Sequence, residues 1–110
     1  MSQERRQYVR IDKAALVAYE KIGSLNDEVV DASMARTLDV SVQGLAMEFA
    51  HPVAKGDHLR IELLLDGVVV KVEGVVVRVS PLHGGMTPAG VHLTHVPAEY
   101  VGRIEGLAHS

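Results

Sequence analysis

Two short runs of this 110-residue sequence carry side chains suited to gripping a compact anion. The first is Arg5-Arg6-Gln7-Tyr8-Val9-Arg10, in which Arg6 and Arg10 stand four apart. In an extended chain that spacing puts both on the same side, about 13 Å apart. In a helix they share one face about 6 Å apart. Either way two guanidinium forks face one ligand, and arginine suits both phosphate and the O6/N7 edge of guanine. The second run is Asp39-Val40-Ser41-Val42-Gln43-Gly44. An ionised Asp only accepts hydrogen bonds and can receive guanine N–H donors, while a Ser hydroxyl can donate to a phosphate oxygen. Gly44 supplies a position with wide backbone freedom, where a ligand can approach closely. Asp, Ser and Gly are also ordinary hairpin residues, and a charged terminus is often simply solvated. Neither run specifies a ligand alone.

Charge is unevenly spread. The first ten residues set three arginines against one glutamate, whereas the other hundred carry 8 basic and 13 acidic residues, giving −3 overall. A cationic leader on an acidic body is poorly suited to duplex nucleic acid, which needs many spread phosphate contacts. Hydrophobic residues make up 47% of the chain, too many for a disordered protein with so small a net charge. The absence of cysteine excludes a disulfide framework, a thiolate metal site and a Cys nucleophile. Apolar stretches such as Val75-Val76-Val77 are far too short to span a bilayer, and the polar, basic start is not a secretory signal. The expectation is one soluble, cytoplasmic domain with no membrane association.

The elements that must position these residues are mostly strands. The chain holds eighteen valines, most of them in strand-like runs. Strands are predicted over residues 14–19, 28–38, 44–49, 58–65, 68–79 and 91–96. In the third, Leu45, Met47 and Phe49 alternate with other residues; in the fourth, Leu59, Ile61, Leu63 and Leu65 point one way, Arg60 and Glu62 the other. Asp66-Gly67 between the fourth and fifth supplies the left-handed backbone of a two-residue hairpin. Gly74 within the fifth marks a bulge or bend, and residues 81–90 read as a loop. From Pro97 on, Tyr100, Val101, Ile104, Leu107 and Ala108 keep helical spacing, with Gly102 and Gly106 limiting the helix to a short one held by packing. Six strands and a terminal helix imply an all-β, six-stranded antiparallel barrel.

Arg-Arg-x-x-x-Arg followed about thirty residues later by Asp-x-Ser-x-x-Gly, in a valine-rich six-strand chain, resembles the PilZ domain family. The resemblance runs from Arg5 to the terminal helix and includes Gly90-Val91-His92-Leu93, similar to the family's Gly-x-x-Phe with Leu93 in place of Phe. It implies a split-barrel receptor for cyclic di-GMP, a bacterial second messenger. A flexible arm (residues 1–12) would fold over the ligand against a barrel domain (13–110). Carried over by position, the ligand-binding residues are Arg6, Arg10, Asp39, Ser41 and Gly44, with Arg5 at a place associated with taking up a stacked pair of ligand molecules. The implied output is an altered surface shown to a downstream protein partner, by a monomer or a homodimer. The alternative is a barrel that binds no ligand and serves protein interaction.

The other candidates point nowhere in particular. His92 and His95 are three apart, which in a regular strand sends them to opposite faces, so no metal site is expected. Ser41 has no local His/Asp arrangement of a nucleophilic triad, and Gly84-Gly85 lacks the strand–Gly–helix context of a phosphate loop. Glu62 and Glu73 read as solvated, and Met34, Met47 and Met86 as core or loop residues. No cofactor and no enzymatic activity are expected. A single-stranded nucleic-acid barrel would need stacking aromatics on a basic face, and the chain has one Phe and three Tyr in an acidic body.

Overall fold

The computed structural model describes residues 11–23, 27–65 and 67–108. Its elements are β1 (Ile11–Ile22), β2 (Val29–Val40), β3 (Gly44–Phe49), β4 (His58–Leu65), β5 (Val68–Val79), β6 (Thr87–His95) and α1 (Ala98–Ala108). The strands close into one barrel in the order β1-β2-β3-β6-β5-β4, every pair antiparallel and the ring completed by β4 on β1. Closure leaves no free sheet edge. This is the expected architecture.

The alternation read from the sequence sets which side chains go inside. In β4, Leu59, Ile61, Leu63 and Leu65 are buried and the residues between them exposed. Val70, Val72 and Val76 of β5 meet them, with Met47 and Phe49 of β3 and Val91 and Leu93 of β6. The Tyr19 and Phe49 rings pack edge to face at 5.1 Å between centroids, a geometry that sets the positive ring edge against the negative face. Gly67 adopts φ +80° in the β4–β5 turn, as the hairpin requires. At Gly74 the β5–β6 register slips, and an added Cβ would fall 2.7 Å from the His92 carbonyl oxygen. The glycine there permits close backbone approach at a bulge.

Three readings need correction. β1 runs from Ile11 to Ile22, longer at both ends than residues 14–19, because pairing with β2 and β4 holds polar residues such as Lys21 in the sheet. It also starts inside the segment assigned to the arm. β6 begins at Thr87, so part of the supposed loop is strand. Pro88 is tolerated at its second position, where its carbonyl accepts from Ser80 N at 2.9 Å. The remainder is a tight ribbon in which His83 and Met86 bridge around Gly84 and Gly85, both at positive φ. Met34 is also not core but half exposed on the outer face of β2, whereas Met47 is fully buried. Among the described residues no helix is long and apolar enough to cross a membrane.

Helix α1 starts just after Pro97, whose carbonyl accepts from Tyr100 N at 2.9 Å. It contacts β1 and β5 and buries Tyr100 and Ile104 completely. The Tyr100 hydroxyl donates to the Ser41 carbonyl at 2.6 Å, and burial pushes this phenol above its ordinary range, so it remains a donor. The Tyr19 hydroxyl, by contrast, is buried and finds no partner among the described residues. The two tyrosines should therefore respond oppositely to loss of the hydroxyl. Tyr100→Phe strands a buried carbonyl and should cost about 1–3 kcal/mol, whereas Tyr19→Phe removes an unsatisfied group and should be neutral or stabilising. Denaturant unfolding of the two variants beside wild type measures both.

Candidate functional site

The Asp39–Gly44 segment leaves β2, turns and enters β3, and the Ser41 side chain holds its shape. Ser41 Oγ accepts from Gln43 N at 3.2 Å and Gly44 N at 3.1 Å, and donates to the Gly44 carbonyl at 3.1 Å. Ser41 N also donates to the Gly44 carbonyl at 3.0 Å. Leu93 N of β6 donates to the Gln43 carbonyl at 2.9 Å, and Tyr100 holds the Ser41 carbonyl from inside the barrel. The turn is thus fixed by its own serine, by a neighbouring strand and by the terminal helix.

Gly44 has a different task from the one its position suggests. Its φ is not positive. An added Cβ would instead sit 2.7 Å from the Val91 carbonyl oxygen, where β3 passes β6. The glycine is needed for that close approach, and the lack of a side chain also lowers the outer surface beside the turn.

On this outer surface lies an open groove of about 280 Å³, bordered by Asp39, Ser41, Gln43, Gly44, Arg78 and His92. Strand register explains its floor. Asp39 of β2 pairs with Ala46 of β3, Ala46 with Gly90 of β6, and Gly90 with Arg78 of β5. An acid and a base therefore stand at the two ends of one cross-strand row with only small residues between them. The Arg78 guanidinium lies over Gly90: a Cβ there would be 3.0 Å from Nη2 and 3.2 Å from Cζ.

Of the residues singled out in the sequence, Asp39, Ser41 and Gly44 come together at this groove. Arg5, Arg6 and Arg10 lie outside the described residues. The barrel fixes where the described chain begins, however: Ile11 pairs with Val40 and Asp12 with Asp39. Sequence reasoning passed over Arg78, which stands among the β5 valines, and treated His92 only as a metal ligand. The signal available for both was strand parity, but the register slips beside Gly74 and between Val76 and Arg78 hid it. Both His92 and His95 are exposed, the second after the slip that resets alternation. No cluster of three metal-ligating side chains occurs among the described residues.

A larger depression of about 670 Å³ runs across β2, β1, β4 and β5 and includes His95 of β6. Its charges are Glu20, Glu62 and Glu73 against Arg60 and Lys71, partly paired with one another (Arg60–Glu20 3.8 Å, Lys71–Glu62 3.9 Å). That excess of acid makes it a poor place for an anion.

Comparison with known proteins agrees with the barrel and with the family resemblance. A family model described as PilZ domain matches residues 4–109. Among solved structures the chain is similar to the Bacillus subtilis inhibitor of motility MotI/DgrA (TM-score 0.73, 19% identity), covering 96% of this chain and 50% of that one. The chain thus spans half the length of that protein. It is also similar to the PilZ domain of YcgR from Escherichia coli, solved with c-di-GMP (TM-score 0.63, 18% identity, 96% and 89% covered). A third likeness is the PilZ domain of CeSA from a cellulose-synthesizing bacterium (TM-score 0.63, 16% identity, 92% and 95% covered). No curated protein sequence matches the chain.

The turn chemistry makes a direct prediction. Ser41→Ala, which removes three side-chain hydrogen bonds, should destabilise the protein by about 1–2 kcal/mol. Gly44→Ala forces a methyl against a sheet carbonyl and should cost about 1–3 kcal/mol. Thermal melts should show drops of several degrees in both, with Ala46→Gly as an outer-face control that keeps the turn intact.

Proposed function

The chain belongs to the PilZ domain family, and from that premise we propose that it is a cyclic di-GMP receptor rather than an enzyme. The ligand presents two phosphates and two guanine edges. It therefore calls for several cationic forks and at least one carboxylate acceptor. Asp39 accepts guanine N–H bonds. Arg6 and Arg10 meet guanine edges and phosphates, and Arg5 extends the cationic set toward a stacked pair of ligand molecules. Ser41 lines the groove and acts mainly through the turn it pins, and Gly44 keeps the wall low beside it.

The observation that carries this reading is the register of β1 on β2. Ile11, next in the chain after Arg10, pairs with Val40, one residue from Ser41. The described chain therefore begins beside the groove that holds Asp39, Ser41 and Gly44, which supports a site completed by the leader. A short chain segment with three arginines, attached there, needs little reach to close over a bound dinucleotide. In this reading ligand binding orders residues 1–10 against the groove and presents a changed surface to a protein partner. Cytoplasmic residence fits a receptor for a second messenger.

Isothermal titration of the full chain with cyclic di-GMP tests this. Wild type should bind with one or two ligand molecules per chain. Arg6→Ala with Arg10→Ala, or Asp39→Ala alone, should each weaken binding by roughly 2–5 kcal/mol. Absence of binding by wild type, or unchanged affinity in the double variant, would reject the receptor reading in favour of a ligand-free interaction barrel.

A further inference from the structure

The cross-strand row that ends in Arg78 suggests how the groove tells one purine from another. We infer that Arg78 is a specificity-determining residue, reading the O6/N7 edge of the same guanine whose N–H edge Asp39 holds. This inference rests on the receptor reading above and adds a ligand contact outside its two motifs.

Three observations support it. First, Asp39, Ala46, Gly90 and Arg78 lie on one row across β2, β3, β6 and β5. The span from Asp39 to Gly90, where the Arg78 guanidinium rests, is two strand spacings, about 10 Å. A planar purine with a hydrogen bond at each end fits that interval. Second, the floor between the two charges is Ala46 and Gly90, so the base can lie close to the sheet. Third, Arg78 is exposed and makes no ion pair or hydrogen bond among the described residues, unlike Arg36, which is bonded to Glu48 at 2.6 Å. The register slip between Val76 and Arg78 is what brings this side chain over Gly90.

The chemistry discriminates by mismatch. Guanine offers acceptors at O6 and N7 to an arginine fork and donors at its opposite edge to a carboxylate. Adenine places an amino donor where O6 would be, facing the guanidinium N–H groups, and has no N–H donors for Asp39. Both ends of the row then oppose it.

The test is titration of the full chain with cyclic di-GMP, cyclic di-AMP and a cyclic di-GMP analogue carrying 7-deazaguanine, which lacks the N7 acceptor. Wild type is compared with Arg78→Ala, Arg78→Lys and Gly90→Ala. Arg78→Ala should bind cyclic di-GMP roughly 10- to 100-fold more weakly, with an unchanged melting temperature. Its discrimination against cyclic di-AMP should narrow, and the affinity it loses on N7 deletion should be smaller than for wild type. Arg78→Lys keeps the charge but not the fork and should restore little. Gly90→Ala displaces only the mobile end of Arg78 and should behave like a milder Arg78→Ala. If wild type binds no cyclic di-GMP, the receptor reading fails and takes this inference with it. If wild type binds and Arg78→Ala binds equally well, only the role of Arg78 is overturned. An equal N7 penalty in both proteins would also overturn it, leaving Arg78 as a point charge toward phosphate.

Discussion

Everything at the groove depends on the turn that Ser41 closes upon itself. One hydroxyl accepts two backbone N–H groups and donates to a carbonyl, fixing how β2 hands over to β3. The outer face of β3 can then meet β6 in the register that pairs Gly44 with His92 and Ala46 with Gly90. The same residue's carbonyl receives the Tyr100 hydroxyl from the terminal helix. A helix at the far end of the sequence thereby becomes part of the support for a surface turn. A change in the turn is felt through a buried hydrogen bond rather than across open solvent, and such a bond is expensive to leave unmade.

That contact ties the helix to the surface turn. Tyr100 and Ile104 are fully buried, so α1 is anchored by apolar packing and oriented by one polar contact. Loss of the Ser41 carbonyl as acceptor would strand the Tyr100 hydroxyl in a buried setting, so the turn and the helix constrain each other.

How much of this was legible in the sequence depends on how local each cause is. β3, β4 and β5 were readable to the residue, because alternation of apolar and polar side chains and the Asp66-Gly67 turn are both local signals. The pairing of Asp39, Ser41 and Gly44 in one turn was legible for the same reason. The length of β1 and the start of β6 were not. Those residues include Asp12, Lys13, Glu20 and Lys21, with Pro88 and Gly90, and only their partners across the sheet make them strand. Arg78 was missed because alternation within β5 fails at the register slip. The Tyr100–Ser41 bond joins residues 59 apart, and helical spacing revealed only that Tyr100 would be buried.

A barrel's outer surface is convex, which makes it a poor place for a binding site unless side chains are omitted. Here they are omitted in neighbouring positions: Gly44 and Ala46 on β3 and Gly90 on β6 leave a trough, while Asp39, Arg78 and His92 stand around it. One of these omissions also meets a structural demand. A side chain at Gly44 would strike a sheet carbonyl, whereas one at Gly90 would press only on the movable end of Arg78. At Gly44 the shape of the groove and the integrity of the sheet therefore constrain the same residue. A trough flanked by one acid and one base is nearly neutral, so it cannot by itself draw a doubly charged ligand. The attraction must come from elsewhere in the chain, and the concentrated positive charge of the sequence sits in the segment that leads into Ile11 at the trough's edge. In the proposed receptor the labour would divide along that arrangement: the barrel would supply shape and base recognition, and the leader charge.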